Sequence, residues 1–107
     1  MEYTIEEKFQ WFTHFIFENE SDVLLTKGRG DVTSLDSCDI YEDEIRIYLT
    51  DETALEFDVV SMDVIYFDWF NGEAHYCRHE SVEDYVFDKK SVTVVINKQA
   101  SLTFFIK

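Results

Sequence analysis

Residues 44–60 read EIRIYLTDETALEFDVV, and their alternation sets how the rest of the chain is read. Ile45, Ile47 and Leu49 fall on one face of an extended strand, with Glu44, Arg46, Tyr48 and Thr50 on the other. A short Asp51-Glu52-Thr53 turn follows, and the pattern resumes with Leu55, Phe57 and Val59 inward and Glu56 and Asp58 outward. Period-two alternation on both sides of a polar turn is the mark of an antiparallel hairpin with one wet face.

The signature recurs in MDVIYFDWF-NG-EAHYCRH, residues 62–79. Asn71-Gly72 between alternating runs predicts a two-residue type I′ turn. In that register Ile65, Phe67, Trp69, Ala74 and Tyr76 line the core face. Tyr66, Asp68, His75, Cys77 and His79 share the wet face, and Asp68 is expected opposite His75 as a charge pair. DVLLTK, VEDYVFD, SVTVVIN and SLTFFIK supply further strands, with a KGRGD loop and an Asn97-Lys98-Gln99 turn between some of them. Ser81-Val82-Glu83-Asp84 also fits a helix start, so residues 81–88 read as strand or short helix.

Upstream, Thr4-Ile5-Glu6-Glu7 has capping-box spacing. Ile5, Phe9, Phe12 and Ile16 then recur at helical spacing, which predicts a helix over about residues 5–18. The expected fold is α+β: this helix packed on one face of a mostly antiparallel, meandering sheet of about six to eight strands. At 107 residues, with no proline, repeat or linker, one domain spanning 1–107 is expected.

Charge is the most informative property of the composition. Twenty-three acids oppose nine Lys and Arg, a net −14. Every acid lies at or before Asp88; four lysines and no acid follow it. Such a surface repels nucleic acid and anionic membranes and attracts cationic protein. The absence of a long apolar run or a basic, apolar leader points to the cytoplasm, and Cys38 and Cys77 fit reduced thiols there.

Site chemistry is sparse by comparison. His75, Cys77 and His79 spread over roughly 13 Å of strand, too far for all three to converge on one metal ion. A Cys77–His75–Asp68 nucleophile system lacks an oxyanion hole nearby. Arg29-Gly30-Asp31 spells a known adhesion tripeptide but reads as a glycine-rich turn. The run DSCDIYEDE, residues 36–44, is an acidic loop without the glycine and spacing of a calcium loop. No phosphate-binding, dinucleotide or zinc motif appears, so no catalytic residue, metal or cofactor is assigned and an enzyme is disfavoured.

What remains is a patch. Asp36, Asp39, Tyr41, Glu42, Asp43, Glu44, Tyr48, Asp51, Glu52, Glu56 and Asp58, with Tyr66 on the next strand, interleave carboxylates with tyrosines. That combination grips Lys- and Arg-rich protein through charge-assisted hydrogen bonds and amphipathic anchors. In size, charge and expected architecture the chain is similar to bacterial immunity proteins, small acidic antidotes of toxic nucleases. No motif is shared, and no residue roles carry over. The resemblance implies a stoichiometric inhibitor that fills the nucleic-acid cleft of a basic nuclease without itself binding nucleic acid or membrane. The alternatives are a phage-encoded DNA mimic acting on a restriction or CRISPR effector, a metal or catalytic domain at Asp68, His75 and Cys77, and an assembly subunit.

Overall fold

The computed structural model describes residues 3–26, 31–97 and 100–107. The glycine loop at 27–30, with Arg29 and Gly30 of the tripeptide, and the turn residues Lys98 and Gln99 lie outside the described residues. Helix α1, Ile5–Glu18, has the expected bounds. Its N-terminus is closed by a full capping box: the Glu7 N–H donates to Thr4 Oγ1 (3.1 Å) and the Thr4 N–H donates to Glu7 Oε1 (3.1 Å). A single 3₁₀ turn, Glu20–Asp22, links it to the sheet.

Nine strands follow: β1 Val23–Thr26, β2 Val32–Ile40, β3 Glu44–Leu49, β4 Ala54–Ser61, β5 Val64–Asn71, β6 Ala74–Ser81, β7 Asp84–Phe87, β8 Ser91–Asn97 and β9 Ala100–Ile106. This exceeds the six to eight expected. The addition is β2, whose second half had read as an acidic loop; a bulge between Leu35 and Ser37 breaks its alternation and hides the period. Residues 81–88 carry strand β7, not a helix.

The strand order is β6-β5-β4-β3-β2-β1-β9-β8-β7, antiparallel throughout. Sequential strands form a meander from β1 to β6, and a second meander, β7–β9, joins it through β9 and β1. The two outermost strands, β6 and β7, are nevertheless connected by Val82 and Glu83 alone. A flat sheet of this order would separate them by about 38 Å, eight spacings of ~4.8 Å, whereas two linking residues reach roughly 10 Å. The sheet must therefore curl until its edges approach. The link records that closure: the Val82 N–H donates to the Ile65 carbonyl (2.8 Å) and the Glu83 N–H to the Val95 carbonyl (2.7 Å).

Inside the curl lie Ile45, Ile47, Leu55, Phe57, Ile65, Phe67, Val92, Val94 and Phe104, all essentially inaccessible. Phe9, Phe12 and Ile16 of α1 are buried with them. The ring of Phe12 stands 5.2 Å from Phe57 of β4 and 5.1 Å from both Tyr85 of β7 and Phe104 of β9. Among the described residues, no helix is long and apolar enough to cross a membrane.

The acidic outer face of strands β2–β5

The alternation of β3, and of β4 over residues 55–59, survives, and cross-strand register turns it into rows. On the outer face Glu44 lies opposite Asp58, which lies opposite Tyr66. The next row is Asp39–Arg46–Glu56–Asp68, and the third is Ser37–Tyr48–Ala54–Phe70–His75. Directly opposed residues on adjacent strands share a face. Asp39, Glu44, Tyr48, Glu56, Asp58 and Tyr66, all named from sequence, are thereby brought together.

The turn residues divide between the two ends of this face. Tyr41, Glu42 and Asp43 are exposed at the β2–β3 turn, next to Glu44. Asp51 and Glu52 sit at the opposite end of the hairpin, a β3 length away, and Asp36 joins them at the bulge of β2. Asp51 is occupied locally: its Oδ1 accepts from the Thr53 N–H (3.0 Å) and hydroxyl (2.6 Å), which shapes the β3–β4 turn.

At the first end the carboxylate oxygens of Glu44, Glu56 and Asp58 all lie within 4.8 Å of one another. Like charges this close cannot all ionise. Burial and hydrogen bonds to Glu44 and Glu56 push the Asp58 carboxyl up to about 8. Among the described residues these three have donor atoms that converge in the manner of metal ligands. Glu56 is also engaged by a cation: its Oε1 accepts from Arg46 Nε (2.9 Å) and from Arg46 Nη2. That pairing raises the already high guanidinium pKa, chiefly through the Glu56 hydrogen bond. Tyr48 Oη donates to Asp39 Oδ2 (3.1 Å), so the tyrosine leans towards β2.

The β5–β6 hairpin departs from expectation. Its turn is centred on Gly72 and Glu73, with Asn71 opposite Ala74, a shift of one residue. Gly72 alone of the two has positive φ (59°), as a turn with glycine at its first central position requires. Moving the turn centre by one residue moves the pairing by two, which keeps the faces of the strand. Tyr76 and Ala74 are exposed, and the bulge between Phe70 and Trp69 turns Cys77 to stand opposite Trp69 and pack against the core. A second bulge, between the Trp69 and Phe67 pairings, returns His79 to the outer side, with φ of 51°.

Asp68 faces His79 and not His75. The bulged His79 N–H donates to Asp68 Oδ1 (3.0 Å), and His79 Nδ1 is 3.5 Å from Oδ2. His75 instead has its Nδ1 3.0 Å from Arg78 Nη2. The Cys77–His75–Asp68 arrangement is thus not assembled, because its sulfur lies on the other side of the sheet. Both thiols are held above the ordinary range: Cys38 up to about 11 by burial and the charges of Glu20 and Asp39, and Cys77 upward by burial, Glu80 and Asp68.

Arg46, Asp68, Phe70 and Arg78 belong to this face but were not assigned to it as binding residues from the sequence. From β2 through β6 the chain carries thirteen acids and two cations, Arg46 and Arg78. No protein-family model matches the chain, and no curated protein or solved structure matches it either.

Proposed function

We propose that this protein is a stoichiometric inhibitor whose acidic outer sheet face occupies the nucleic-acid cleft of a cationic partner, most simply a nuclease toxin. The observation that supports the reading is the arrangement of Asp39, Glu44, Glu56 and Asp58 in adjacent rows over β2–β4. Tyr48 and Tyr66 stand among them, and Glu42 and Asp43 extend the face at its rim. Carboxylates crowded on a rigid sheet meet a phosphate-binding cleft without reorganisation, and tyrosines add contact area at low entropic cost. Long-range attraction between a −14 chain and a basic cleft also speeds association, towards about 10⁸ M⁻¹s⁻¹ at low salt.

The test is crosslinked capture from the native host, followed by nuclease assay of the captured protein. The expected partner is basic, its nuclease activity falls to zero at one equivalent of this chain, and affinity drops steeply with salt. Changing Glu42, Asp43, Glu44 and Asp58 together to Lys should abolish inhibition with the fold retained. Glu56 is left in place because it holds Arg46. A partner without a basic cleft, or affinity indifferent to salt and to the four substitutions, overturns the proposal.

A further inference from the structure

The third row of the outer face has a different chemistry from the first two. Tyr48 on β3 and Phe70 on β5 flank Ala54 on β4, which is the smallest side chain in the row and forms a floor. The two aromatic strands are two spacings apart, about 9.6 Å. Each ring is drawn away from the middle. The Tyr48 hydroxyl donates to Asp39 on the β2 side, and Phe70 packs on His75 of β6 with ring centroids 5.5 Å apart. The result is a slot over Ala54 with an aromatic wall on either side.

A cavity of about 510 Å³, open to solvent, occupies this place, and Asp36 and Glu52 contribute to its lining. That volume lies in the range of sites that take a small ligand or a single side chain. Among the described residues, no Lys, Arg or His lines it. Glu52 holds a left-handed backbone (φ 72°), a conformation rare for a residue with a side chain and concentrated at functional positions. Gly72, at the far rim, leaves open space where a side chain would stand.

From this geometry we infer that the Tyr48–Ala54–Phe70 slot is a receptor for a guanidinium group, an arginine side chain of the partner. Rings about 9.6 Å apart leave more room than one planar cation about 3.4 Å thick needs, so a guanidinium lies flat on one wall, the ring of Phe70. It gains cation–π attraction from that ring, and its edge N–H groups meet the carboxylates of Asp36 and Glu52 at the rim. A lysine ammonium is compact and strongly hydrated, so it cannot lie flat on the ring while reaching the carboxylates. The inference rests on the acidic-face reading and names the group that face selects: the face attracts cations in general, and the slot prefers arginine.

Two probes separate the parts. Methylguanidinium and n-butylammonium are titrated into labelled protein and followed by NMR. Hexa-arginine and hexa-lysine peptides are compared by calorimetry in the same buffer. Methylguanidinium should shift the Ala54 methyl and the Tyr48 and Phe70 ring signals, with n-butylammonium leaving them in place. Hexa-arginine should bind at least tenfold tighter than hexa-lysine. Phe70→Ala opens one wall and Ala54→Leu fills the floor; each should erase that preference by weakening the arginine peptide alone, with amide dispersion confirming the fold. Equal binding of the two peptides, or a preference unchanged in both variants, overturns the slot while salt-dependent binding keeps the acidic face. The four-lysine variant provides the converse control, since it should weaken both peptides and leave their ratio unchanged.

Discussion

Asp58 condenses the problem of the acidic face into one side chain. Its carboxyl is half-buried between Glu44 and Glu56 and is raised from 3.8 to about 8. In the window between those values the folded chain holds a proton that the unfolded chain has released. Stability therefore falls as pH rises through the window and levels off above about 8. Because the group is partly solvated, the effect is on the order of 1 kcal/mol, and the titration belongs to the three carboxyls together. Asp58→Asn keeps a hydrogen-bond donor where the proton sits and removes the charge. Thermal melts between pH 5.5 and 9 should show the wild-type chain losing roughly 4–8 °C relative to the variant across that range. Parallel profiles would mean that no proton is shared. The same linkage bears on binding: a cation placed over the cluster must expel this proton, so partner affinity should increase with pH up to about 8.

Elements differ in how openly the sequence declares them. In α1 the capping box and the Phe9, Phe12, Ile16 stripe specify both the start and the buried face, and the helix has the bounds they predict. Phe12, wholly buried against three rings, should cost about 3–5 kcal/mol on truncation to Ala. Trp69 is only partly buried beside Tyr76, so Trp69→Ala should cost less, and denaturant melts of the two variants decide the order. Strand β3 and residues 55–59 of β4 were equally legible, because their residues obey one period. That is why Glu44, Glu56 and Asp58 could be placed outward together from sequence. Strand β6 was not legible. Asn-Gly serves a turn centred one residue either way, and nothing in EAHYCRH announces two bulges. Local sequence also gives no sign of the Asp68 carboxylate that satisfies the His79 N–H. Nor could β2 be separated from its acidic turn, since its pattern breaks at Asp36. The aromatic slot was hidden for a further reason: Tyr48, Ala54 and Phe70 belong to three strands and meet only through register.

For the whole molecule, the question is whether the acids are there for stability or in spite of it. Were they engaged in favourable pairs, screening would weaken the fold; if they form an uncompensated like-charged face, screening should strengthen it. From β2 to β6 thirteen acids meet only two arginines, and Arg46 is already committed to Glu56. The second case is therefore expected. Raising salt from 0.01 M to 0.15 M shortens the screening length from about 30 Å to 8 Å. The melting temperature should climb by roughly 4–8 °C for each 1 kcal/mol of repulsion relieved. The variant with Lys at positions 42, 43, 44 and 58 should melt higher than the native chain in 0.01 M salt and gain little from more. A native chain that melts lower as salt is added would show its carboxylates to be structurally paired, and the charge would then need no partner to explain it.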